Sequence, residues 1–256
     1  MSETEKNKVI ILFLLLSVIG IYILDNTLIN TLLGSCRFIF LLKPLLWCGI
    51  VLTVLSLPAR RYKSKLRTRR FINSWSLIFA FIMICVQLLA GLADGFGRSP
   101  YDHSVAGIVM NIFSIGAVLA GREFFRSYIV NTLIKKENYI VFLSVSLFLT
   151  ALAFPVQKYL DLQGYESTVK FFAQFFLPEF SKNFLATYLV FLGGPASSLL
   201  FLGTLEAFHW LSPILPDLQW ITAASVGILT PVFMFTTMQS MYEVEARERY
   251  QRDVKE

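Results

Sequence analysis

Two short strings carry ionisable residues at a spacing that an α-helix would turn into contacts. In Arg122-Glu123-Phe124-Phe125-Arg126, Glu123 and Arg126 are i, i+3 neighbours and so can pair, with the polar Asn111 and Asn131 not far along the chain. In Glu206-Ala207-Phe208-His209 a carboxylate and an imidazole share a helical face, a pairing able to relay a proton or to hold a metal ion. A metal site needs three or more ligands. The only other histidine, His103, falls in a loop expected on the opposite side. The reading is therefore a structural ion pair at the cytoplasmic boundary for the first string and a mutual hydrogen bond near the interface for the second. Arg122, Glu123, Arg126, Glu206 and His209 together form the candidate functional polar cluster. No catalytic residue, metal ligand or cofactor site is assigned.

The common enzyme signatures are missing. There is no HExxH, no GxSxG elbow and no Gly-rich phosphate loop opening a helix. An intramembrane prenyl-protein peptidase would show paired glutamates followed by an arginine and two histidine motifs; residues 122–126 lack the second glutamate. A serine nucleophile needs a base within reach. Ser99, in a loop close to His103 in sequence, is followed by Pro100, which suits a turn rather than a nucleophile elbow.

The elements that would position these residues are membrane helices. Of the 256 residues 55% are hydrophobic and 16% charged, against about 25% charged in a typical soluble domain. Mean hydropathy is +0.62. A soluble fold of this length could not hide so much apolar surface, and the 24 phenylalanines suit lipid contact and interhelical packing. The net charge of +6 does not point to nucleic acid, because seven of the basic residues lie in one stretch, 60–70, between two apolar runs. That is the positive-inside mark of a cytoplasmic loop, and anionic lipid is the other partner such a stretch could take. Cys36, Cys48 and Cys85 form no CxxC and no zinc spacing, so all three are read as reduced.

A spanning helix needs about 20 apolar residues. Seven runs are candidates: 9–31, 37–57, 71–92, 105–121 with a helical continuation to 133, 139–156, 184–205 and 220–241. Asp25 and Asn26 lie near the outer end of the first, and Lys43 in the first turns of the second can snorkel to the headgroups. Between Lys170 and Glu179 the apolar residues fall on one face, with Phe171, Phe172, Phe175 and Phe176 at i, i+1, i+4, i+5, which suits an interfacial amphipathic helix rather than a crossing. Gly193-Gly194-Pro195 interrupts the sixth run as a kink or break, and Pro231 should kink the seventh. The expectation is an all-α, polytopic transmembrane bundle over 1–241, of about seven spans plus one interfacial helix, followed by a charged tail, 242–256. A retained N-terminal anchor is expected, since no small-residue cleavage site follows the first apolar run.

Lys and Arg counts set the N-terminus in the cytoplasm and, with seven crossings of the plasma membrane, the C-terminus outside. The loop after the sixth run has no Lys or Arg; if the Gly-Gly-Pro break makes a hairpin, the C-terminus stays inside.

Two further stretches are distinctive. One is Gly95-Phe96-Gly97-Arg98-Ser99-Pro100-Tyr101-Asp102 with Gly121-Arg122-Glu123-Phe124-Phe125-Arg126 downstream. The other runs from Gly194-Pro195-Ala196 through Leu205-Glu206-Ala207-Phe208-His209-Trp210-Leu211-Ser212-Pro213-Ile214-Leu215-Pro216-Asp217. Over about residues 90–240 the chain resembles the multi-spanning region that precedes the catalytic domain in some bacterial signal peptidases I of the archaeal and endoplasmic-reticulum type. The catalytic Gly-[Asp/Ser]-Ser-Met segment of that family has no counterpart here. The resemblance implies a non-catalytic membrane module, an anchor or scaffold for extracytoplasmic processing of secreted proteins. Its partners would be the lipid bilayer and a signal peptidase catalytic domain or another secretion component. Two rival readings are a small transporter or channel, and a membrane-embedded enzyme built on Glu123, Arg126, Glu206 and His209.

Overall fold

The computed structural model describes residues 3–27, 41–57, 69–134 and 137–253. Five of the seven basic residues of the 60–70 stretch, together with Cys36, Arg37, Lys135, Lys136, the end of the first apolar run and the start of the second, lie outside the described residues. The described chain is helical almost throughout, as a bilayer demands, because peptide groups in hydrocarbon must find partners within their own segment. Four helical stretches are long and apolar enough to cross a membrane: Glu5–Asn26, Arg69–Asp94, Val105–Leu133 and Trp220–Val244. Large apolar side chains on them point outward, Leu92 at 74% and Phe233 at 68% exposure among them, as lipid contact requires.

The expected count of about seven is not reached on that criterion. The second and fifth runs form the shorter apolar helices Lys43–Ser56 and Tyr139–Ala151. The fifth stops early because the chain turns at 152–154 into Pro155, which opens a separate short helix, Val156–Leu160. The sixth run is two helices, not one.

The chain divides into two compact units, 1–61 with 100–162 and 62–99 with 163–256. The first unit holds α1 (Glu3–Thr27), α2 (Lys43–Ser56), α4 (Val105–Leu133), α5 (Tyr139–Ala151) and α6 (Val156–Leu160). Trp47 of α2 packs on Gly121 of α4, where a Cβ would come within 2.5 Å of the indole. Ser104 caps α4 by accepting from the Gly107 N–H, and the Ser104 N–H and hydroxyl both donate to Asp102. Those two bonds, the backbone one foremost, hold the Asp102 carboxyl below its ordinary value.

The second unit holds α3 (Arg69–Asp94), β1 (Phe96–Arg98), α7 (Tyr165–Phe171), a π-helical turn (Phe172–Phe176), α8 (Leu177–Gly193), α9 (Pro195–Leu211), β2 (Ile214–Pro216) and α10 (Trp220–Asp253). The phenylalanine stretch is not a separate helix: α7 passes through the π turn directly into α8, and Phe171, Phe172, Phe175 and Phe176 stack on one another. At Gly194 the backbone takes φ 85° and ψ −172°, and α9 returns beside α8. Gly193 lies against Ile72 at the start of α3, and the Ser197 hydroxyl donates to Asn73 Oδ1 at 2.8 Å. At the other end, β1 and β2 pair antiparallel with Gly97 opposite Leu215, and Asp94 Oδ2 accepts from the Gln219 N–H. This two-stranded clasp joins segments that the sequence presents as loops.

α10 runs parallel to α8: Gly227 meets Pro178, Phe235 stacks on Phe184 and Tyr188, and Tyr242 on Phe191. The far end of α10 therefore lies at the end of the unit where α3 begins.

The Gly194 conformation belongs to a region that is essentially glycine-only. Gly194→Ala should lower unfolding free energy by about 1–3 kcal/mol, read as the denaturation midpoint in detergent. Gly20→Ala, with open space around the new methyl group, should leave it unchanged or slightly raised.

Candidate functional site

Glu123 and Arg126 on α4 are fully buried, and Arg126 Nη2 stands 3.0 Å from Glu123 Oε1. The approach is that of an ion pair, yet it is not aligned as a hydrogen bond: neither Glu123 oxygen has a hydrogen-bond partner among the described residues. Two desolvated charges in this position hold each other in place at a cost that neither could meet alone. The nearby asparagines are occupied locally. Asn131 donates to the Ser127 carbonyl, and Asn111 reaches the Asp102 carbonyl at 3.5 Å.

Arg122, one residue earlier, serves a different place. Its Nη2 donates to the Leu149 carbonyl at the end of α5. It lines a cavity of about 310 Å³ bounded also by Tyr22, Asp25, Asn26, Lys43 and Trp47. Lys43 does not simply snorkel: its Nζ contacts Asp25 Oδ2 at 2.7 Å, tying the start of α2 to the end of α1. The Tyr22 hydroxyl donates to the Phe154 carbonyl, and Asn26 Oδ1 accepts from the Val156 N–H, so the wall formed by 152–156 is bonded to α1. The sequence reading did not single out this site. Its signal was present in the two charged residues near facing ends of consecutive apolar runs, Asp25 and Lys43.

In the second unit Glu206 and His209 are half-buried near the end of α9. Lys182 and Glu179, themselves paired at 2.6 Å, lie within electrostatic range of the His209 imidazole, and Asn183 donates to Glu179. The start of α8 thus adds a polar cluster that spacing along α9 could not reveal. The Ser99 hydroxyl reaches the His209 carbonyl at 3.5 Å, a weak bond that serves the clasp. Among the described residues no three His, Cys, Asp or Glu side chains form a group that could hold a metal ion. Ser144 and Ser198 donate to backbone carbonyls of their own helices, as packing serines do. Cys48 and Cys85 carry free thiols. Arg122, Glu123 and Arg126 belong to one unit, Glu206 and His209 to the other.

The ion pair generates a test. Glu123→Gln or Arg126→Gln alone leaves an uncompensated buried charge and should cost about 3–5 kcal/mol. The double change should cost clearly less than the sum, read as the folded fraction recovered by gel filtration. Additive losses would show that the two groups are not coupled.

No protein-family model and no curated protein matches the chain.

Proposed function

We propose that this chain is a non-catalytic integral membrane module, an anchor and scaffold for extracytoplasmic processing of secreted proteins in the manner of the signal peptidase membrane region it resembles. The observation that supports this reading is the clasp. Residues 95–99 of the first resembling stretch and 213–217 of the second are far apart in the chain, and β1 with β2 joins them: Ser99 N–H donates to the Pro213 carbonyl and Asp217 N–H to the Gly95 carbonyl. Two loops that pair in this way form one surface on which a partner could dock. Gly91 supports it from below, where a Cβ would collide with Phe96 and Pro216.

In this reading the clasp faces the extracytoplasmic side and the basic 60–70 segment the cytoplasm. The return at Gly194 then brings the C-terminal tail to the cytoplasmic side, in place of the external C-terminus given by charge counting. A processing partner would meet the module at the clasp rather than through the tail.

Purified chain incubated with a labelled preprotein should give no cleavage. Adding a separate signal peptidase should give cleavage at a rate altered by the chain. Gly95→Val, which puts a β-branched side chain at φ 122°, should abolish that alteration. Cleavage by the chain alone, lost in Ser99→Ala, would contradict the non-catalytic reading.

A further inference from the structure

The two edges of the clasp differ in what they offer. The bonds from the Ser99 N–H to Pro213 and from the Asp217 N–H to Gly95 fix the phase of the ladder. Gly97, in the same phase, turns its peptide groups toward Leu215, while Phe96 and Arg98 turn theirs away from β2. On the outer edge of β2, Pro216 has no N–H to give, and the Ile214 carbonyl already accepts from the Ser212 hydroxyl. The outer edge of β1 has neither block: among the described residues no hydrogen bond takes the N–H or carbonyl of Phe96 or Arg98. Native sheets close exposed edges with proline or occupied groups, and here one edge is closed in that way and the other is not. A row of donors and acceptors at the repeat of an extended strand is matched by another extended backbone.

The side chains add selectivity. Phe96 and Arg98 are two residues apart and so stand on the same face of the sheet. Phe96 is 43% exposed, Arg98 is exposed as well, and its guanidinium joins no ion pair among the described residues. A charge on an edge turns away strands of its own sign; against a carboxylate the same charge is attractive, so Arg98 filters what pairs beside it. A strand laid along this edge sets one of its own side chains opposite each of the two. We propose that the outer edge of β1 takes an extended segment of a partner protein as an antiparallel third strand. An acidic residue of that segment lies beside Arg98, and an apolar residue two positions later lies beside Phe96. This inference rests on the clasp as the docking surface and names the kind of segment that docks there.

The test uses the full chain in detergent and a fluorescein-labelled heptapeptide, Thr-Thr-Glu-Thr-Val-Thr-Thr, read by anisotropy against empty micelles. Saturable binding to the chain is expected. N-methylation of the peptide at both Glu and Val removes the donors that face β1 and should weaken binding about tenfold, whereas N-methylation of the Thr between them, which faces away, should change the Kd by less than about twofold. Replacing the peptide's Glu by Lys should weaken binding about two- to fivefold, and Arg98→Glu should reverse that preference. Arg98→Pro, which removes the outward N–H and keeps the bonds to β2, should bind more weakly than Arg98→Ala. Binding no better than to empty micelles, equal loss from the two methylated peptides, or indifference to charge reversal would overturn the proposal. A dimer of the chain in sedimentation, lost in Arg98→Pro, would give the edge to a second copy and overturn it too. If Arg98→Pro is not recovered folded, the two methylated peptides on the unaltered chain decide the question. No peptidase is present, so failure here leaves the Gly95→Val cleavage comparison standing, and failure of that comparison leaves the peptide result readable.

Discussion

At Gly194 the backbone occupies a conformation, φ 85° and ψ −172°, that a side chain would strain, and the arrangement of the second unit follows from it. With no Cβ there, α8 can end and α9 begin in the reverse direction within one residue. The return sets Gly193 against Ile72 and lets Ser197 meet Asn73, so the buried hydroxyl has its acceptor at the same point where the chain turns. It also sends the end of α9 back toward the end of α3, which allows β1 and β2 to pair. A gentle kink at the same place would have carried the chain across once and left both three-residue strands without partners.

Much of the helical plan could be read from the sequence, because membrane helices announce themselves locally. Continuous apolar runs gave the helices that carry Trp75, Phe113 and Phe233, and the i, i+3 rule gave the Glu123–Arg126 contact. Gly193-Gly194-Pro195 could be read as an interruption. Its consequence could not, since a kink and a full return use the same residues and differ only in which distant helix receives them. The phenylalanines of 171–176 run through a π turn without a break into α8, a continuity that their spacing alone does not show. The clasp was illegible because each strand is three residues long and gains its identity only from the other. Lys43, near the start of its apolar run, can snorkel to the headgroups by its position; that it also pairs with Asp25 of another helix is not visible in the sequence.

The polar groups of the first unit divide by burial. Glu123 and Arg126 are sealed, with a contact short enough for an ion pair but poorly aligned, which suits a structural coupling and leaves little room for a substrate. Arg122, Asp25 and Lys43 are partly open around a cavity. Ionisable residues at membrane depth are functional suspects by default, and here adjacent residues in sequence, Arg122 and Glu123, fall on opposite sides of that distinction. The sequence treats them as one cluster; the geometry separates a group that holds helices together from a group that faces space.

The arrangement of the second unit depends on the return at Gly194. It is tested most directly by single-cysteine labelling with a membrane-impermeant maleimide, in intact cells and in inverted vesicles, on a background lacking Cys36, Cys48 and Cys85. Arg70→Cys at the start of α3 and Arg247→Cys near the end of α10 are predicted to react from the same side, and Asp217→Cys beyond β2 from the other. Labelling of positions 70 and 247 from opposite sides would contradict the return and restore a single crossing through residues 184–205.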